Sequence, residues 1–119
     1  MMLQLDHKKL DVYSLSKSFT LKCYELTESF PVHERYNLSS QIRRAAMSIM
    51  LNIAEGSARK TSAERRRFFE ISRSSLVEID TALDIAVTLN YIGKDKILEI
   101  QPLCIRCFGT LSGLIRSNS

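Results

Sequence analysis

The sequence predicts an all-α protein, an antiparallel up-down-up-down four-helix bundle that forms one domain over residues 1–119. First, the 119 residues include only 4 glycines and 2 prolines, whereas a small all-β domain needs many tight turns. Second, apolar residues recur every three or four positions in four separate stretches, as they do on one face of a helix. Third, connections of about five residues join these stretches, and such short connections place consecutive helices side by side in opposite directions.

Proline and glycine delimit the first two helices. The first helix is expected over residues 10–28 and ends before Pro31, because proline disfavours helical geometry in the residue that precedes it. The second helix is expected over residues 33–55. Gly56 then follows as the residue after the cap, a position where glycine adopts a positive φ at little cost.

The third and fourth helices also have recognisable boundaries. The third is expected over residues 62–90 and begins with a capping box formed by Thr61 and Glu64. The fourth is expected over residues 95–116. Pro102 lies inside it and removes a helical hydrogen bond, which predicts a kink or a short break there.

The basic residues are concentrated between Arg59 and Arg73. This window holds six basic and two acidic residues and so carries the whole net charge of +4, while the rest of the chain holds eleven of each sign. A solvated helix surface would explain such a run, and a nucleic-acid-binding face is the functional interpretation. At most two of three consecutive arginines can point to the same side of a helix. The residues expected to bind nucleic acid are Arg59, Lys60, Arg65, Arg66 and Arg67.

Five polar residues of the second helix share one narrow stripe, at spacings of three and four: Gln41, Arg44, Ser48, Asn52 and Glu55. Because buried polar groups must be satisfied, we expect them to form a buried network with Arg73 and Glu78 of the third helix. A ligand or catalytic site is the other interpretation. We favour the network, because polar stripes in bundles more often specify packing.

The second helix is apolar on a second side as well. Its outward face carries Met47, Met50 and Leu51 where charged residues are expected. A helix that is apolar on two sides is buried on two sides. The sequence therefore predicts a homo-oligomer with these three residues in its interface.

Residue patterns that indicate catalysis or a cofactor are missing. Cys104-x-x-Cys107 has a metal-like spacing, but a zinc site needs four ligands, and both cysteines fall on the apolar face of the fourth helix. There is no phosphate-binding glycine loop, no Glu-x-x-His pair and no strand–serine–helix elbow. We expect no metal, no cofactor and no enzymatic activity. An enzyme would have to recruit Arg44, Glu55 and Glu78.

The sequence also favours one cellular compartment. No stretch approaches the ~18 consecutive apolar residues of a membrane span, and the first residues have no apolar region of the kind found in signal peptides. Three cysteines, an odd number, do not suggest a secreted disulfide framework. We expect a cytoplasmic protein that does not contact a membrane.

A run in the second helix resembles a known family. Its centre is Asn52-Ile53-Ala54-Glu55-Gly56, followed by Arg59. Further matching residues lie on both sides: Phe30-Pro31, Glu34, Leu38, Gln41, Arg44-Ala45-Ala46, Ser48-Ile49, Glu64, Phe68, Ser72-Arg73, Ser75 and Glu78. Together they resemble the 23S rRNA intervening-sequence proteins over about residues 10–93. One departure is Ser74, which stands where the family has glycine and should alter packing more than chemistry.

The resemblance implies a fold and an assembly but no defined activity. Members of that family are small bacterial cytosolic four-helix bundles, of unestablished biochemical function, that form cyclic homopentamers. A distantly similar protein is the accessory protein of diversity-generating retroelements. It is also a basic pentameric bundle, and it binds a reverse transcriptase and nucleic acid. At the level of fold, this similarity favours RNA or DNA as a ligand.

Two functions follow from these observations. The first is a non-enzymatic oligomer that binds nucleic acid electrostatically through its basic face. The expected ligand is RNA, and rRNA is one candidate. The alternative is a protein-interaction scaffold or accessory subunit whose arginines meet an acidic protein partner such as a polymerase.

Overall fold

The computed structural model describes residues 2, 3, 5 and 11–119, and its helices pack into one all-α fold. The four α-helices are α1 (Asp11–Glu28), α2 (Leu38–Ser57), α3 (Ser62–Thr88) and α4 (Lys94–Ser117). No described residue belongs to a strand. Each helix lies alongside two others, and among the described residues the backbones of α1 and α3, and those of α2 and α4, do not approach within 8 Å. Residue 10, where the first helix was expected to begin, lies outside the described residues.

The interior is formed by one apolar face from each helix. Phe19 of α1, Ile49 of α2, Ile79 of α3 and Leu111 of α4 are completely buried. Fully burying a side chain of this kind contributes roughly 1.5–3 kcal/mol. These residues fall at the three- and four-residue spacing of the apolar pattern, so the pattern that defines the helices also defines the core.

The second helix begins at Leu38, five residues later than the sequence predicted. Pro31 is extended (φ −56°, ψ 145°), and residues Val32–Glu34 form a single 3₁₀ turn. Asn37 then has a non-helical backbone (φ −125°, ψ −100°) and precedes the first helical residue. The Glu34 carboxylate is held by the hydroxyl of Tyr91, far along the chain. This tertiary contact fixes the connection in a shape that local helical periodicity does not reveal.

The third helix ends at Thr88, two residues before the predicted end, in a Schellman motif. Asn90 has a positive φ of 62°, a conformation that asparagine tolerates better than most residues. The N–H of Asn90 donates to the carbonyl of Val87 at 3.0 Å, and the N–H of Tyr91 donates to that of Ala86 at 2.9 Å. These two bonds satisfy the last carbonyls of the helix.

The fourth helix is continuous through Pro102, so the short break that the sequence predicted is absent. Proline cannot donate to the carbonyl one turn earlier. Here both Pro102 and Leu98, which lies one turn earlier, are exposed. Water can therefore donate a hydrogen bond to the carbonyl of Leu98, and the helix continues.

Gly56 lies inside α2 and does not have the predicted positive φ. A Cβ atom at this position would lie 2.9 Å from Cε1 of Phe69 and 3.0 Å from Cβ of Phe68. Glycine is therefore needed for space, because it lets α2 approach α3 closely.

Candidate functional site

Arg65 holds the connection between α2 and α3 in place. Its guanidinium donates to four acceptors: the Arg59 carbonyl at 3.1 Å, the Lys60 carbonyl at 3.0 Å, the Ser62 hydroxyl at 3.2 Å and the Asn118 side-chain oxygen at 2.9 Å. The last of these ties the connection to the end of α4. Nucleic-acid binding by Arg65 stays a prediction, and within the chain its guanidinium already has a structural role.

Two other residues of the basic window have acidic partners one helical turn away. Arg59 forms an ion pair with Glu55, and its guanidinium lies 5.1 Å from the centre of the Phe68 ring. The Nε of Arg66 lies 3.5 Å from the Glu70 carboxylate. Both ion pairs are solvent-exposed, and such pairs contribute little to stability. Their guanidinium groups remain at the surface.

Lys60 and Arg67 are the exposed cations of the window whose side chains have no partner among the described residues. Arg67 lines a shallow hollow of about 320 Å³ on α3, together with Ile71, Ser74 and Glu78. Arg65, Arg66 and Arg67 thus have different surroundings, as the helical spacing predicted. Fewer side chains are therefore free to contact a ligand than the number of basic residues in the window suggests.

The central part of the polar stripe joins α2 to α3. The Asn52 amide donates to the Ser48 carbonyl at 2.8 Å and to the Ser48 hydroxyl at 3.1 Å. The Ser75 hydroxyl of α3 donates to the Ser48 hydroxyl at 2.9 Å. One turn away, the buried Ser72 hydroxyl donates to the Ile49 carbonyl at 2.9 Å. These small polar residues satisfy one another between the two helices.

The remaining stripe residues do not join that cluster in the single chain. Gln41, Arg44 and Glu78 are exposed, and the Glu55 carboxylate pairs with Arg59 as described above. Arg73 faces α4 instead, where it donates to the Ser112 hydroxyl at 3.1 Å and lies 5.7 Å from the centre of the Phe108 ring. One buried network of all seven residues stays a prediction, and it would require a partner that covers the stripe.

The outward face of α2 is open in the single chain. Met47 is 42% exposed and Leu51 is 58% exposed, while Met50 is half-buried. Large apolar side chains on the surface of a helix are common singly, but here they are grouped on one face. The face is available for the predicted self-association.

An apolar groove lies between the start of α2 and the second half of α3. Its volume is about 630 Å³, and its walls include Leu38, Val77, Ile85 and Leu89. Sequence analysis did not identify it. The signal in the sequence was the apolar character of Val77 and Ile85, which lie off the core face of α3.

Glu34 is the one carboxylate-bearing residue that is buried among the described residues, and its role was also missed. It accepts a hydrogen bond from the Tyr91 hydroxyl at 2.9 Å and another from the Asn37 amide at 3.1 Å. These donors, Tyr91 first, lower the pKa of Glu34, and the same contact raises the pKa of Tyr91. His33 lies 3.2 Å from the Tyr91 hydroxyl. The available indication in the sequence was that Glu34 lies three residues after Pro31.

The three cysteines are free thiols in or beside the core. Burial raises the pKa of Cys23 to about 12 and that of Cys104 to about 11. The Ser16 hydroxyl lies 3.9 Å from the Cys107 sulfur. A thiol with so high a pKa is a poor nucleophile and a poor metal ligand, and no cluster of potential metal ligands occurs among the described residues.

Comparison with known proteins identifies the family. The sequence profile described as 23S rRNA-intervening sequence protein matches residues 8–113. The chain belongs to the 23S rRNA-intervening sequence protein family. The match to the family covers α1, α2 and α3 completely and α4 up to Gly113, so it includes every residue of the basic window and of the polar stripe. A search of curated proteins found no match. None of the described helices has an apolar stretch long enough to cross a membrane.

Proposed function

We propose that this family member binds RNA through a basic end of an antiparallel four-helix bundle, with Lys60 and Arg67 as its principal phosphate contacts. The observation that carries the proposal is the distribution of charge along the molecule. Membership of a family described by 23S rRNA makes RNA the first ligand to test.

The side-chain contacts between helices support the antiparallel arrangement. From the start to the end of α1, Ser16, Lys22 and Glu25 contact residues progressively nearer the start of α4, namely Cys107, Glu99 and Lys96. Between α3 and α4, Arg65 pairs with Asn118 and Arg73 with Ser112. The two connections that begin and end α3 would then lie at opposite ends of the bundle.

Charge is unequal between those two ends. Residues 11–17, 53–73 and 106–119, around the α2–α3 connection, hold nine basic and four acidic side chains. Residues 18–52 and 74–105 hold six basic and eight acidic side chains. A polyanion is attracted to the first end and repelled from the second. Binding of this kind comes from neutralised phosphates and weakens steeply with salt.

A salt titration with a matched variant tests the proposal. We would measure binding of a fluorescent RNA stem-loop by the wild type, by K60Q/R67Q and by K94Q/K96Q. The last pair removes the same charge from exposed side chains of α4 at the other end of the bundle. The slope of log affinity against log salt should fall by roughly one for each lost phosphate contact in K60Q/R67Q. It should stay near the wild-type value in K94Q/K96Q.

Equal slopes in the two variants would place RNA elsewhere on the molecule. Absence of binding at low salt would favour the scaffold function, in which the basic end meets an acidic protein partner. A partner that remains bound after nuclease treatment would then support that alternative.

Self-association belongs to the same proposal. The open face of α2 supports a homo-oligomer, and the family resemblance supplies the pentamer as the state to test. A ring would repeat the basic end in each copy and strengthen RNA binding through multivalency. We propose a binding role without catalysis, and the free thiols fit a reducing compartment such as the cytoplasm.

A further inference from the structure

A small polar pocket lies where α1 passes into α2, among residues that the RNA-binding proposal does not use. Its volume is about 280 Å³. Its polar lining comes from Thr27 and Glu28 of α1, Arg35 of the connection, and Ser39 and Arg43 of α2, and the apolar residues 30–32 line the rest. The pocket thus brings two arginines and two hydroxyl groups together.

The two guanidinium groups in this pocket differ in how they are held. Arg43 is anchored: its Nε donates to the Thr27 hydroxyl at 2.7 Å, and one terminal nitrogen donates to the Tyr24 carbonyl at 3.4 Å and the Glu28 carboxylate at 3.2 Å. Its other terminal nitrogen has no acceptor among the described residues. Arg35 is exposed and lies 5.7 Å from the centre of the Tyr36 ring, with no acidic partner in the described part of the chain.

Ser39 adds a hydroxyl group to the two guanidinium groups of the pocket. It is only 7% exposed, yet its hydroxyl forms no hydrogen bond with any described residue. No buried side-chain polar atom among the described residues lacks a partner, so this hydroxyl is open to solvent through the pocket that it lines. It is therefore available to a ligand in the pocket.

The charge of the residues that line the pocket indicates the kind of ligand it binds. Glu28 is the acidic residue of the lining, and its largely exposed carboxylate already accepts a hydrogen bond from Arg43. Two guanidinium groups against one carboxylate leave an excess of positive charge. Guanidinium N–H groups and a hydroxyl together match the oxygens of a phosphate group. We propose that this pocket binds a phosphate group.

Equilibrium dialysis with labelled inorganic phosphate tests the site on the full chain. The wild type should bind one phosphate per chain. R35Q should weaken binding about tenfold, as the loss of one charge-assisted hydrogen bond implies, and S39A should also weaken it. R106Q removes the same charge from an exposed position on α4 and should leave the affinity unchanged. Thermal unfolding of each variant without phosphate establishes that it is folded.

Competition identifies the source of the phosphate. If dimethyl phosphate, a diester, displaces inorganic phosphate, the pocket accepts a nucleic-acid backbone. If methyl phosphate displaces it and the diester does not, the pocket accepts a terminal or free phosphate. Either result supports the site. The proposal is overturned if the wild type does not retain phosphate, or if R35Q and R106Q lose affinity equally. Lys60 and Arg67 are intact in all of these variants. A difference in phosphate affinity between R35Q and R106Q is therefore independent of RNA binding at the basic end.

Discussion

At the scale of single residues, Gly56 shows how little space separates α2 from α3. The atoms nearest to a Cβ at this position would belong to Phe69, which is buried, and to Phe68, so the neighbouring side chains have little freedom to move away. Gly109 of α4 provides a contrast, because a Cβ atom there would have nothing within 4 Å. The two helical glycines therefore differ in why they are present.

Alanine at these two positions should change stability in opposite directions. In G56A, overpacking costs about 1–3 kcal/mol, which outweighs the gain of up to ~1 kcal/mol in helix propensity. In G109A only that gain remains, so its free energy of unfolding should rise by about 0.5–1 kcal/mol. Chemical denaturation of both variants checks this. Equal stabilisation of both would show that α2 and α3 have room to separate.

The charge of Glu34 has a structural role. Its carboxylate joins the α1–α2 connection to Tyr91 in the α3–α4 connection. A carboxylate with a lowered pKa stabilises the fold above its unfolded pKa of about 4.3, and this stabilisation is lost as the pH falls through the folded pKa. The contribution of Glu34 is therefore present at neutral pH.

The variant E34Q should reveal this pH dependence. At neutral pH the wild type should unfold at a higher temperature than E34Q, and the difference should shrink as the pH falls below about 4.3. The variant Y91F removes the same hydrogen bond from the other side. The difference in melting temperature between the wild type and Y91F should therefore also shrink as the pH falls. Melting temperatures measured across this pH range test both. A gap that is constant with pH would assign Glu34 a role unrelated to its charge.

At the scale of elements, the connections are held by side chains from distant parts of the chain. The α2–α3 connection is short, yet its two carbonyls at Arg59 and Lys60 are both capped by Arg65. The same guanidinium reaches Asn118 at the end of α4. One arginine thus orders two chain segments that are 53 residues apart in sequence.

Replacing Arg65 should loosen both segments together. In R65Q, amide hydrogen exchange should accelerate by about tenfold or more near residues 59–62 and 115–119, as the loss of a charge-assisted hydrogen bond implies. R67Q removes a neighbouring arginine that has no partner among the described residues and should leave those rates unchanged. Acceleration confined to the connection would mean that the bond to Asn118 does not order α4.

At the scale of the whole molecule, the open face of α2 and the charge distribution concern what the chain binds. The apolar face contains Leu51, which is 58% exposed, and α4 contains a comparable residue, Ile105, which is 64% exposed. Their similar exposure makes them a matched pair. Only the first lies on the face that was predicted from sequence to meet another copy.

A charge on the α2 face should prevent assembly. L51E should lower the molar mass measured by sedimentation to that of a single chain, because a buried unpaired carboxylate is costly at an interface. I105E should keep the mass of the wild type. If the wild type is itself a single chain, or if I105E rather than L51E dissociates it, the interface is not on α2.

The candidate site was only partly predictable. The window from Arg59 to Arg73 is visible in the sequence because charge can be counted along the chain. Which of its cations are free is a tertiary property: Arg65 is occupied by acceptors on α4 and in the connection, whereas Arg67 is open. The phosphate pocket was not foreseen, because Arg35 and Thr27 come from different elements and only the folded corner brings them together.

The sequence by itself determined the all-α class, the four helices, their core faces and the family. Helices form from contacts within one or two turns, so a periodicity of three and four residues is enough to reveal them. Tertiary structure decided where α2 begins, why Gly56 is glycine and which polar groups are satisfied. Those outcomes depend on atoms that are distant in sequence, such as Glu34 and Tyr91, which are 57 residues apart. No local pattern contains the geometry that brings such atoms together.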